Sequence, residues 1–216
     1  EIDALPMGVQ AWRAITHWVG GIGIVLVFVA VMPSGGRSLF LNEGITRESR
    51  RARARHAAIA LLRVYVALTA VHAVLLLLAG MNLFDAVFHA FSSMATGGFS
   101  TRGGSVAYYR SFPIEAICIA FMIFAGMNFE HWDRLWRHGP KEAFLGAARS
   151  TEVGVYLGLM LGWSVLLTFL LWFSGGSGVD PSSPLPDYTG FAQCARDATF
   201  NLVSMKTCTG YMTADF

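Results

Sequence analysis

Apolar and polar residues fall in long blocks along this chain. Residues 12–33, 57–80, 113–129 and 153–174 are apolar runs; 34–56, 130–152 and 175–189 are polar. At a helical rise of ~1.5 Å per residue, each apolar run approaches or spans the ~30 Å of hydrocarbon in a bilayer. Another apolar stretch, Phe84 to Ala95, would reach only about 18 Å and is too short to cross. Such a helix has to enter and turn back. After it comes Thr96-Gly97-Gly98-Phe99-Ser100, which has no helical pattern. Irregular backbone at membrane depth is tolerated only where protein or a water-filled path satisfies it. The pattern predicts an all-α membrane protein with at least one re-entrant helix.

The re-entrant stretch occurs twice. Laying Asp85 on Asp197 also lays Ala86 on Ala198, Phe88 on Phe200, Ser92 on Ser204, Gly98 on Gly210 and Thr101 on Thr213, without a gap, and Phe99 meets Tyr211. Chance similarity between apolar sequences would align Leu and Ala rather than Asp, Ser, Gly and Thr. An internal structural repeat is expected.

Composition agrees with the pattern. The chain has 216 residues, 54% of them hydrophobic, and only 14% are charged, against ~25% in soluble domains. Charge distribution says more than the net +2. The segments 34–56 and 130–152 carry six and four Lys or Arg, whereas 1–11, 81–112 and 175–189 carry none, two and none. Beside membrane spans a basic run marks the cytoplasmic side rather than a nucleic-acid site, so both glycine segments enter from outside. The repeating unit reads span, re-entrant helix, glycine segment, span. It is complete over 57–129, preceded by a final span at 12–33 and followed by an incomplete unit at 153–216. Glu1 is not a methionine, no signal peptide is evident, and Phe216 closely follows Tyr211. Both ends are expected to be cuts within a longer chain.

Trp12 and Trp18 suit an interfacial belt at the start of the first span, and Pro33 ends it. Gly20, Gly21 and Gly23, and again Gly154, Gly158 and Gly162, thin a helix face for close contact. Arg63 can snorkel at a cytoplasmic end. His72 sits mid-span, where an ionisable group is a functional candidate; a neutral ring bonded to a neighbouring helix is the plainer reading. Cys118 and Cys194 read as apolar fillers. Glu130, His131 and Asp133 read as a solvated loop rather than a metal cluster.

The chemistry lies in the glycine segments. A re-entrant helix entering from outside points its C-terminus at the membrane centre, where its macrodipole favours a cation. Asp85 and Asp197 near the helix starts can cap free amides. Carbonyls of the returning segments can replace the hydration shell of an alkali cation. Gly98 and Gly210 permit the positive φ this needs, and Phe99 and Tyr211 would wedge the segments against surrounding helices.

These residues carry a family resemblance. Trp18-Val19-Gly20-Gly21-Ile22-Gly23-Ile24, Phe84-Asp85-Ala86 with Ala95-Thr96-Gly97-Gly98-Phe99-Ser100-Thr101, and Thr209-Gly210-Tyr211-Met212-Thr213-Ala214-Asp215-Phe216 resemble the Trk/Ktr/HKT superfamily of potassium transporters, most of all its bacterial TrkH and TrkG branch. The resemblance spans essentially the whole chain. It implies a potassium-channel-like pore subunit of four span–pore helix–span repeats. On that reading 12–33 is an inner helix ending a first repeat. A complete repeat follows, with outer helix 57–80, pore helix 84–95, filter 96–100 and inner helix 113–129. A third repeat has outer helix 153–174, pore helix 190–206 and filter 207–212. The potassium-coordinating carbonyls would belong to Thr96, Gly97, Gly98 and Phe99 and to Cys208, Thr209, Gly210 and Tyr211. In plant relatives glycine at the filter position accompanies preference for potassium over sodium.

The resemblance further implies potassium uptake across the bacterial plasma (inner) membrane, with no covalent chemistry and no organic cofactor. The protein would be a homodimer in membrane lipid, with a cytosolic, TrkA-like nucleotide-binding subunit on the basic loops at 34–56 and 130–152, and no nucleic acid. The family's chain is longer, so this one would begin after the first filter segment and end at the third. Two departures stand out. Cys208 replaces a usual threonine, and Lys206 ends the second short helix where Met94 ends the first; a lysine there either opposes the cation or points away from it. Two rival readings use the same residues. One is another cation transporter with a midplane site between broken helices. The other is a membrane enzyme using His72, His89 or Asp85; Asp85 and His89 stand four apart on one helix, but the second copy has Asp197 with Asn201.

Overall fold

The structure is a computed structural model that describes residues 2–31, 47–127, 146, 150–174 and 190–214. Among the described residues there are helices and turns and no strand. The helices are α1 (Met7–Val31), α2 (Arg47–Leu78), α3 (Leu83–Met94), α4 (Phe112–Gly126), α5 (Thr151–Ser174) and α6 (Phe191–Lys206), with a 3₁₀ turn at Ser105–Tyr109 between α3 and α4. Windows Ala58–Leu78 in α2 and Thr151–Phe173 in α5 are long and apolar enough to cross a membrane. The 15 residues of α4 rise only about 22 Å, less than the full crossing expected over 113–129; residues 128 and 129 lie outside the described residues.

Several boundaries differ from the sequence pattern. Helix α1 begins at Met7 rather than Trp12. Helix α2 begins at Arg47, so part of the polar stretch 34–56, expected as a loop, is helical. Its Arg and Ala residues at 50–55 are strong helix formers, and polarity alone does not stop a helix. Pro33 and the cluster at Glu130, His131 and Asp133 lie outside the described residues.

Helix α3 starts on a reciprocal cap. Asn82 Oδ1 accepts the Asp85 N–H at 2.8 Å, and Asn82 Nδ2 donates to Asp85 Oδ2 at 2.7 Å, in the manner of a capping box. The cap residue is therefore Asn82, not Asp85. Helix α6 follows Gly190 without a side-chain cap, and Asp197 instead accepts from Gln193 Nε2 at 2.7 Å.

Among the described residues α1 packs on α2 and α3, α3 on α2 and α4, α4 on α6, and α5 on α6. The main core gathers Leu76, Met122, Phe200 and Tyr211, and includes Cys118 as an apolar filler. His72 is fully buried, with its ring stacked on Phe121 at 4.1 Å and 2°. Neither ring nitrogen has a hydrogen-bond partner, so its contact with the neighbouring helix is stacking rather than the expected hydrogen bond. Glu115 in the first turn of α4 is buried and takes a bidentate pair from Arg196 of α6, at 2.5 and 2.7 Å.

The helix junctions show a second level of repetition. On α1, a Cβ added to Gly21 would lie 2.9 Å from Ala95 Cβ and 3.1 Å from the Tyr65 hydroxyl; that hydroxyl donates to the Trp18 carbonyl at 3.1 Å. On α4, a Cβ added to Gly126 would lie 2.5 Å from the Tyr156 hydroxyl and 3.3 Å from Thr207 Cγ2; the Tyr156 hydroxyl donates to the Ile123 carbonyl at 3.3 Å. Gly21 thus corresponds to Gly126, Tyr65 to Tyr156 and Ala95 to Thr207. The last pair agrees with the register that lays Asp85 on Asp197. Of the glycines expected to permit close helix contact, Gly21 does so. Gly20, Gly23, Gly154, Gly158 and Gly162 meet nothing within 4 Å, because no described residue covers the helix faces they lie on.

Candidate functional site

Both short helices end in the same way. After α3, Thr96 takes φ +52°, its N–H donates to the Ser93 carbonyl at 3.0 Å, and the Gly97 N–H reaches the Ser92 carbonyl at 2.8 Å. After α6, Cys208 takes φ +58°, its N–H donates to the Met205 carbonyl at 3.0 Å, and the Thr209 N–H reaches the Ser204 carbonyl at 2.8 Å. Each is a Schellman motif with a non-glycine residue at the left-handed position, where glycine is usual. Two residues on, Gly98 (φ +64°) and Gly210 (φ +90°) are left-handed again. A left-handed residue, one of ordinary hand and then a second left-handed residue reverse the backbone's sense at each step. Successive carbonyls then leave the alternating directions of an extended strand.

The two segments meet through their backbones. A Cβ on Gly98 would stand 2.1 Å from the Thr209 carbonyl oxygen and 2.6 Å from the Gly210 carbonyl carbon. Gly97 faces α1, where a Cβ would stand 2.0 Å from His17 Nε2. A side chain at Gly98 would have to displace backbone, and one at Gly97 would have to displace the His17 ring. Gly98 thus lies against the backbone of Thr209 and Gly210, where the two segments meet along one seam.

Each segment is strapped to the helix before it. His89 Nδ1 lies 2.7 Å from the Asp85 carbonyl, which can only accept, so Nδ1 carries the proton. Its Nε2 lies 3.1 Å from Ser100 Oγ, which also accepts the Arg102 N–H at 3.1 Å. Asp85 Oδ1 accepts from Thr101 Oγ1 at 2.6 Å. In the second copy Asn201 replaces the histidine and straps its own segment in turn. Its Oδ1 accepts the Thr213 N–H and its Nδ2 donates to the Ala214 carbonyl, both at 3.1 Å. Asp85 and His89 do not form a carboxylate–imidazole pair, because the carboxylate is occupied by Asn82 and Thr101.

The aromatic residues anchor the seam unequally. Tyr211 is fully buried; its hydroxyl donates to the His89 carbonyl at 3.1 Å and accepts from Ser93 Oγ at 3.3 Å. Phe99 is 36% exposed and is held from one side, by an edge contact with His17 and by Arg13 over its ring at 4.7 Å. The Met212 N–H donates to Ser105 Oγ, and the Met212 carbonyl accepts the Ala107 N–H, so the second segment is tied to the 3₁₀ turn of the first repeat. Lys206 Nζ lies over the Trp163 ring of α5 at 5.4 Å.

The profile of a family described as "TrkH: Cation transport protein" matches residues 1–175. The chain belongs to the TrkH family. Across its full length it is 33% identical to the Trk system potassium uptake protein TrkH of Halomonas elongata, covering 43% of that protein. It is 28% identical to the Trk system potassium uptake protein TrkG of Escherichia coli K12, over 81% of this chain and 37% of that one. The crystal structure of the potassium transporter TrkH from Vibrio parahaemolyticus superposes with a TM-score of 0.79 at 29% identity, covering 99% of this chain and 41% of that one. The chain therefore spans less than half the length of the TrkH relatives it matches, and its fold is the all-α, membrane-embedded fold of TrkH.

Sequence reasoning missed three contributors to the site. His17 closes over Gly97, Asn201 holds the second segment, and the left-handed residues are Thr96 and Cys208 as well as the glycines. Only Asn201 had a sequence signal, its alignment with His89.

Proposed function

We propose that this chain is part of the pore-forming subunit of a Trk-type potassium uptake system. The carbonyls of Thr96, Gly97, Gly98, Phe99, Cys208, Thr209, Gly210 and Tyr211 would contribute two of its filter segments. The observation that carries this reading is the paired backbone geometry: two Schellman-ended helices lead into segments with a second left-handed glycine, in backbone contact at Gly98. Helix C-termini lead into both segments, so the dipoles favour a cation there. Potassium is the transported ion, and its carbonyl coordination is passive. The filter segments face outside and the basic stretches face the cytosol. The complete protein works as a homodimer in the plasma membrane with a cytosolic nucleotide-binding partner.

The test uses the full-length protein in a bacterium lacking its own potassium uptake. Gly98→Ser places an atom against the Thr209 carbonyl and should sharply reduce potassium uptake and selectivity over sodium. Unchanged ion preference in flux assays, with normal amounts of protein in the membrane, would refute the role given to Gly98.

A further inference from the structure

We propose that the crevice between α4, α5 and α6 is a binding site for one acyl chain of a membrane lipid. Its volume is about 550 Å³, inside the ~300–1,000 Å³ typical of small-ligand sites. The site needs the membrane setting of the fold and is independent of which ion is carried.

The two helix junctions are built alike but filled differently. At the first, Trp18 of α1 stacks on Phe91 of α3 (5.0 Å, 21°), leans on Tyr65 of α2 and donates from Nε1 to Thr69 Oγ1 at 3.1 Å. The Gly21–Gly126, Tyr65–Tyr156 and Ala95–Thr207 correspondences carry this to the second junction. There Ile123 stands for Trp18, Val203 for Phe91 and Met160 for Thr69. All three line the crevice. Two aromatic rings are replaced by Ile and Val, and the space they would fill stays open. The backbones show the same difference: α1 packs on α2, whereas among the described residues α4 and α5 make no close backbone approach and are linked by the Tyr156 side chain.

A third helix completing this repeat would not close the gap. In the complete repeat, α4 packs on the α2 face that carries His72 and Leu76. The corresponding residue to His72 on α5 is Trp163, which is exposed and outside the crevice lining. The crevice lies on the other face of α5, beside Leu157, Leu161 and Val165, which are exposed.

The surrounding medium selects the occupant. Ser164, Thr168 and Thr199 are the polar residues of an otherwise apolar lining, and Thr168 Oγ1 already donates to the Ser164 carbonyl at 2.7 Å. Water needs two to four polar partners to occupy a cavity, and the lining does not supply them. An empty space forfeits dispersion contacts along its whole lining. In a bilayer the adjoining solvent is hydrocarbon, so a lipid chain restores those contacts without burying a polar group.

The experiment is a cryo-electron microscopy structure of the full-length protein in nanodiscs of phosphatidylcholine brominated midway along one acyl chain. Bromine density is expected in the crevice of the wild type, above that of the surrounding annular lipid, and is expected to disappear in Ile123→Trp, which copies the first junction. Val203→Phe is the second variant should the first not fold. A wild-type crevice that is empty, or filled by another part of the chain or by a second copy, overturns the proposal. So does bromine density that survives either filling variant.

Discussion

At Thr96 and Cys208 the chain holds a left-handed conformation that costs an L-residue roughly 1–2 kcal/mol relative to the right-handed one. Glycine would relieve that strain and give back part of the gain through the larger entropy of its unfolded state. We expect Cys208→Gly to raise stability in detergent by about 0.5–1 kcal/mol, measured by thermal unfolding of the full-length protein. If the strained residue fixes the carbonyl direction, the same variant should weaken potassium selectivity as it gains stability. Equal selectivity would assign the residue to helix termination alone. The glycines were legible because they recur in register and glycine is the ordinary choice for positive φ. Thr96 and Cys208 were not, because nothing in a threonine or cysteine marks a left-handed position until the helix before it is seen to end in a Schellman motif.

Helices are coupled here by polar links between buried side chains as well as by apolar packing. Glu115 is buried, and Arg196 is partly exposed at 29% of its side chain. Removing the charge of Glu115 leaves the guanidinium half-partnered, at a cost below the ~3–5 kcal/mol of a fully buried pair. Glu115→Gln should therefore lose about 2 kcal/mol, and Glu115→Leu combined with Arg196→Met should recover most of that. A double variant as unstable as the single one would contradict this view of the pair. The straps at His89 and Asn201 give another test. His89→Asn installs the residue that the second copy uses and should retain uptake, whereas His89→Leu removes the ring's bonds to the Ser100 hydroxyl and the Asp85 carbonyl and should lose about 1–3 kcal/mol. Comparable uptake and melting in all three proteins would remove the strap from the mechanism. Helix identities were legible from apolar blocks of the right length. The start of α2 was not, since an Arg- and Ala-rich stretch continues a helix as readily as it forms a polar loop, and the Glu115–Arg196 pair joins residues far apart in sequence with no local pattern.

Over the whole molecule, the repeat visible in the sequence was that of the re-entrant helices, where α3 and α6 keep Asp, Ser, Gly and Thr in one register. The span–re-entrant helix–span unit also paired α1 with α4 and α2 with α5 as elements, but their residue-by-residue register was hidden, because apolar helices share composition without marking position and the intervening segments differ in length. Tyr65 and Tyr156, each bonded to a carbonyl three residues before a close-packed glycine, reveal it only in three dimensions. That correspondence makes the two junctions a controlled comparison within one chain. Trp18→Ile gives the first junction the residue of the second, removing the stack on Phe91 and the bond to Thr69. It should cost roughly 2–4 kcal/mol, somewhat less than full truncation of a buried tryptophan. Ile123→Trp makes the reverse exchange and should leave the melting temperature unchanged or raise it, because the indole enters space already present. Overpacking a filled site would instead cost about 1–3 kcal/mol. Opposite signs for the two exchanges, measured on the full-length protein, would show that the junctions share one design and differ in what occupies the gap. Losses of equal size would mean that the second junction is as tightly filled as the first.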